Sequence, residues 1–180
     1  MIEEIKDVQS LDKIWRETLI KQSNVAAKNV INGLSVRGAK LADYITNNIS
    51  MSYSLKNIAI IFEITLNNNI EDNVSMEEDD GSLTEYTGFT IKLTIYGSAA
   101  IEVSKLLKAR LESEKCRNNL YDNGIYYDKI SSLFESNDFI NETMWIKVNM
   151  SIDFNSRLLF TQKDSYKDFE QTNGLYLLKV

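Results

Sequence analysis

Two stretches of this chain alternate with a period of two so cleanly that they leave little choice of backbone conformation. In Phe89–Tyr96, the side chains Phe89, Ile91, Leu93 and Ile95 share one side, while Thr90, Lys92 and Thr94 share the other. In Trp145–Phe154, Ile146, Val148, Met150, Ile152 and Phe154 alternate with Lys147, Asn149, Ser151 and Asp153. Successive side chains of a strand point to opposite sides, so this is the pattern of a half-buried strand. A third run, Ile58–Leu66, sets Ile58, Ile60, Phe62, Ile64 and Leu66 against Ala59, Ile61, Glu63 and Thr65. Three one-sided strands need something apolar on one side, which predicts an α+β fold: a mainly antiparallel sheet with helices packed on one face.

The first of these strands runs straight into a helix. Gly97 supplies a flexible joint and Ser98 an N-cap, and Ala99, Val103, Leu106, Leu107 and Leu111 follow at helical spacing. A second helix is expected near the N-terminus, capped by Ser10, with Leu11, Ile14, Trp15 and Leu19 on one stripe and Ile2, Ile5 and Val8 extending it. From Ser23 to Asn48 the signals are mixed: VAAKNVINGL reads as a short helix or as a strand ending at Asn32–Gly33, and GAKLADYITNN carries a weaker stripe of Leu41 and Ile45. Asn123–Gly124 is a turn signal, with short extended pieces expected on either side. We therefore expect one domain over residues 1–160 and a C-terminal extension over 161–180, ending in the β-prone run LYLLKV after Asn173–Gly174. That run could close the domain's own sheet or add a strand to a neighbouring subunit.

Composition excludes more than it offers. A chain of 180 residues carries no histidine, so the commonest general base, the usual partner of a nucleophilic Ser or Cys, and the commonest zinc ligand are all missing. No Walker-type, dinucleotide-binding or C-x-x-C motif occurs, and no catalytic residue, metal site or cofactor is expected. The lone Cys116 cannot form an internal disulfide; Lys115 and Arg117 would lower its thiol pKa if they sat close, and the plainer reading is an incidental cysteine at a helix end. A formal charge of −6 argues against a phosphate-binding footprint, and no apolar run approaches the roughly 20 residues that span a bilayer. The acidic start, MIEEIKDVQS, does not read as a signal peptide, and N-x-[ST] triplets such as Asn141–Thr143 follow from composition.

The densest acidic group, Glu71, Asp72, Glu77, Glu78, Asp79 and Asp80, lies between the first two long strands in a segment read as a long loop or hairpin tip. Its spacing does not fit a calcium-binding loop, and mutual repulsion in solvent accounts for it better. Tyr121, Tyr126 and Tyr127 could form a recognition surface, with core or rim packing as the plainer reading.

Taken in order, the N-terminal helix, VINGL, IAIIFEITL, the acidic hairpin, EYTGFTIKLTIYGSAAIEVSKLLKARL, NGIYYDKI and MWIKVNMSIDF resemble the tail terminator, or neck terminator, proteins of tailed bacteriophages, contractile ones in particular. The resemblance covers residues 10 to 160 and is most visible at the Tyr96–Ala99 junction. It implies a homo-oligomeric ring, usually of six subunits, at the head-proximal end of the tail tube. Such a ring ends polymerisation of tube and sheath and joins the tail to the head connector. Its partners would be the tail tube, tail sheath and head-connector proteins, and DNA would cross its lumen without specific binding. It would be assembled in the host cytoplasm into the virion, with no membrane contact. Candidate interface residues are Glu77, Glu78, Asp79 and Asp80 in the acidic tip and Leu175, Tyr176, Leu177 and Leu178 in the tail. Competing readings are another head–tail joining or tube-like protein, a small acidic binding or immunity module for a basic partner, and an enzyme with a carboxylate site built on Glu63 or Asp153.

Overall fold

The structure, a computed structural model, describes residues 8–36, 39–54, 57–67, 74–77 and 83–160. The chain begins with α1 (Val8–Ser23), a 3-10 turn (Ala27–Asn29), the short β1 (Val30–Asn32), a second 3-10 turn (Gly33–Ser35) and α2 (Ala39–Asn48). Then come β2 (Ala59–Leu66), β3 (Val74–Glu77), β4 (Leu83–Tyr96), α3 (Ala100–Leu111) and α4 (Glu114–Asp122). The described chain closes with β5 (Ile125–Ile130), β6 (Phe134–Ile140) and β7 (Thr143–Phe160). All seven strands join one sheet in the order β1-β2-β4-β7-β5, with β3 added to β4 and β6 to β7. Only β1 and β2 run parallel; every other pairing is antiparallel. The α+β class is therefore as expected.

The alternating residues do what their period demands. Phe89, Ile91, Leu93 and Ile95 of β4 lie beside Val148, Met150, Ile152 and Phe154 of β7 and Ile60 and Phe62 of β2, forming the sheet side of the main core. Leu11, Trp15 and Leu19 of α1, Val103, Leu107 and Leu111 of α3, and Cys116 and Leu120 of α4 close it from above. Trp15 meets the Phe154 ring at 5.1 Å, and Phe154 stacks on Phe89 at 5.5 Å. Truncating a buried aromatic in such a cluster costs about 3–5 kcal/mol. Two hydrogen bonds from Arg16 hold α1 to the edge of the sheet, Nε to the Val30 carbonyl at 3.0 Å and a terminal nitrogen to the Ala27 carbonyl at 2.6 Å. The ambiguous VAAKNVINGL segment resolves as both alternatives in turn, a 3-10 turn followed by a strand.

Helices do not stay on one side. α1, α3 and α4 cover the main core, whereas Ile45 and Ile49, on and just after α2, pack on the opposite face against Ala59, Ile61, Tyr96, Ile140 and Trp145. The cause is visible in the sequence: Ala59 and Ile61 make the start of β2 apolar on both sides, and Trp145 does the same for β7. A strand apolar on both sides needs cover on both.

Four local expectations change. Ser98 is not the cap of α3: the helix starts at Ala100 after Ala99, which makes no side-chain cap bond, and the Ser98 hydroxyl instead donates to the Ser52 carbonyl at 3.1 Å. Ser10 is likewise inside α1, which already runs from Val8. The residues before Asn123–Gly124 are helical, not extended; Ser113 caps α4 by accepting from the Cys116 amide, and Gly124 at φ 70° carries the chain from helix to strand. The long strands also outrun their alternating parts, β4 starting at Leu83 and β7 running from Thr143 to Phe160.

Candidate functional site

The groups from which chemistry could be built are dispersed. Glu63 and Asp153 stand on β2 and β7 with β4 between them, at registers where Glu63 opposes Lys92 and Asp153 opposes Thr90. Two strand spacings separate the carboxylates by about 10 Å or more. Each already has a structural occupation. Glu63 is half-buried, its side chain lying over Gly33 so closely that a Cβ there would sit 2.6 Å from Glu63 Cγ. Asp153 accepts a 2.7 Å hydrogen bond from the Thr90 hydroxyl. Among the described residues no group of three or more His, Cys, Asp or Glu side chains converges as metal ligands would.

Cys116 lies in α4 and is buried in the main core. Burial pushes its thiol pKa up, partly offset by the Lys21 charge and a hydrogen bond with Gln22. This reverses the activation considered from Lys115 and Arg117: the nearby cation is on α1, and desolvation outweighs it.

The tyrosines form a rim. Tyr121 meets Tyr126 edge-on at 5.3 Å, Tyr126 meets Tyr86 at 5.8 Å, and the Arg117 guanidinium lies 4.6 Å over the Tyr127 ring. Tyr121 is exposed, and Tyr126 and Tyr127 are half-buried.

What the structure presents outward is a set of sheet edges. The β1 edge is three residues long and bounded by 3-10 turns. β3 is four residues long and forms a hairpin arm with β4 and the end of β7, since Val74–Glu77 pair with Leu83–Tyr86 and these pair with Arg157–Phe160. Glu77 sits on this arm, opposite Leu83. Glu78, Asp79 and Asp80 of the acidic tip, and Leu175, Tyr176, Leu177 and Leu178 of the extension, lie outside the described residues. β5 is interrupted by a register shift between Tyr127 and Lys129 and carries the exposed, charged Asp128 and Lys129.

β6 is different. It pairs in unbroken register with β7 from Phe134 opposite Asn149 to Ile140 opposite Thr143, joined by a tight turn in which Asn141 and Glu142 are both left-handed, at φ 46° and 64°. Both central residues at positive φ match the twist of a two-residue hairpin. At its base the Tyr96 hydroxyl donates to Asp138 Oδ2 at 2.8 Å, and the Lys147 ammonium approaches the same oxygen at 3.4 Å. Its outer edge pairs with no described strand. Phe134, on the α2 side, is 67% exposed, and the cross-strand pair Phe139 and Met144, on the main-core side, are 69% and 57% exposed. Periodicity alone does not disclose this hairpin, because FESNDFI is mostly polar and its turn contains no glycine. The available signal was Phe134 and Phe139, an odd number of residues apart and therefore on opposite faces of any strand.

No protein-family model matches this chain, and no curated protein matches it. Among the described residues no helix is long and apolar enough to cross a membrane.

Proposed function

We propose that this protein is a structural subunit of a phage tail, a tail or neck terminator that forms a ring at the head-proximal end of the tail tube. The observation that carries the assembly part of this reading is the β6 edge: a regular strand, unpaired among the described residues on its outer side and flanked by exposed Phe134, Phe139 and Met144. Unpaired backbone edges with apolar side chains are surfaces on which another chain is added. The order of elements and the Tyr96–Ala99 junction support the terminator role within that class, through the resemblance to the phage family.

A ring follows from a heterologous contact whose rotation closes, and closure ends growth where an open contact would continue it. Six subunits is the number the resemblance implies. The sheet supplies a rigid frame, and its edges and hairpins reach the neighbours, the tube, the sheath and the head connector. The net charge of −6 suits a lumen through which DNA passes without being held, because phosphates are repelled within a Debye length, roughly 8–10 Å.

Position in the assembled particle tests the reading. Cryo-electron microscopy of tails containing a tagged copy is expected to show one ring at the head-proximal end, and loss of the protein is expected to give tubes of uncontrolled length. Density repeated along the tube, or a protein absent from tails, rejects the terminator role.

A further inference from the structure

Among the described strands β6 offers the longest unpaired edge in unbroken register, and β7 leads the chain away from it. We infer that residues 175–180, LYLLKV, add a strand to the outer edge of β6 in a second copy of this chain, linking neighbouring subunits. This rests on the assembly reading above and names the contact that would carry it.

Sheet edges are normally blunted by shortness, bulges or charge. Among the described strands, the open stretches of β1, β2 (Glu63–Leu66), β3 and β7 (Arg157–Phe160) are each no more than four residues long, and β5 is blunted by its register shift at Asp128 and its charges. β6 has seven residues in continuous register; of its two acidic residues Glu135 is exposed, and Asp138 is engaged by Tyr96 and Lys147. Exposed aromatic rings stand on both of its faces, Phe134 on one and Phe139 on the other. An added strand that complements it must also be apolar on both faces. LYLLKV meets this requirement in six residues: Leu175 and Leu177 on one side, Tyr176, Leu178 and Val180 on the other.

Geometry selects the second copy over the same one. β7 starts at the turn with β6 and runs away from it, so the chain leaves Phe160 at the far end of the strand. From Asn149, where β6 pairing begins, to Phe160 is 11 residues, about 36 Å at 3.3 Å per residue. Residues 161–174 provide 14 residues to make that return. Fourteen residues reach at most about 46–50 Å, so covering that distance uses about three quarters of full extension. Pairing with its own β6 would therefore hold the connection stretched, whereas a neighbour's β6 can be placed closer to Phe160.

Disulfide trapping tests this. In a Cys116→Ala background, chains carrying Asn137→Cys are mixed with chains carrying Leu177→Cys, oxidised and run on a denaturing gel. A heterodimer joining the two variants is expected. Deleting 175–180, or substituting Leu177→Pro to break pairing while keeping the segment, should raise the concentration needed for assembly at least tenfold in sedimentation velocity, with far-ultraviolet circular dichroism unchanged. Assembly that survives both tail variants overturns this inference and leaves the terminator reading standing. So does a third variant, given both cysteines in one chain, whose disulfide forms only within itself, or an Asn137→Cys chain that cross-links to a second Asn137→Cys chain through paired β6 edges. A full-length chain that stays monomeric at every concentration overturns the inference and the assembly reading together.

Discussion

Gly97 joins β4 to α3 at φ 136°, where an L side chain is strained, and a Cβ there would lie 2.7 Å from both the Asn57 carbonyl oxygen and Ile58 Cδ1. Backbone cannot yield as a flexible side-chain end can. Gly97→Ala is expected to cost at least about 2 kcal/mol, read as a fall in the urea midpoint with the slope unchanged. The glycine's importance was legible in the sequence, because the strand pattern stops at Tyr96 and the helix pattern starts just beyond. The role of Ser98 was not: a good capping residue beside a helix start is indistinguishable in sequence from one that is turned to bond a distant loop, here Ser52. Cys116 shows the same limit, since its chain neighbours Lys115 and Arg117 are exposed while the cation that acts on it, Lys21, is supplied by packing of α1.

Elements whose period matches their burial were legible in the sequence, as with β2, β4, β7 and the α1 stripe. Elements defined by a partner were not. α4 is polar along most of its length, and apart from the Ser113 cap only the docking of Cys116 and Leu120 on the core marks it as a helix. The β6 hairpin depends on its register with β7 and on the Tyr96–Asp138 hydrogen bond, which joins residues far apart in the chain. That bond has a pH signature. Burial raises the Tyr96 phenol above its ordinary 10.0, and the hydrogen bond and charge of Asp138 raise it further. An acid whose folded pKa lies above its unfolded one contributes stability that is complete below the unfolded value and is lost as pH rises past it. Stability should therefore decline above about pH 10, and Tyr96→Phe should flatten that decline, measured as urea midpoints at about pH 8 and 10.5.

At the scale of the whole molecule, the sheet separates the buried side chains that fold the chain from the apolar ones it leaves exposed. Phe139 is 69% exposed on the β6–β7 hairpin and contributes little to the core. Phe139→Glu is expected to leave thermal stability within about 0.5 kcal/mol while abolishing or strongly weakening assembly, a split visible by pairing calorimetry with sedimentation velocity. Loss of both together would make the hairpin part of the fold and not a contact surface.

The length of β7 has a consequence in time. This one strand pairs with β4, β5 and β6, and its partners on β4 lie 51 to 77 positions earlier in the chain. Contacts so distant in sequence close slowly. A nascent chain therefore holds β2 and β4 with half of the sheet missing until residues 143–160 leave the ribosome. The central sheet is therefore complete only when synthesis of that last long strand is finished.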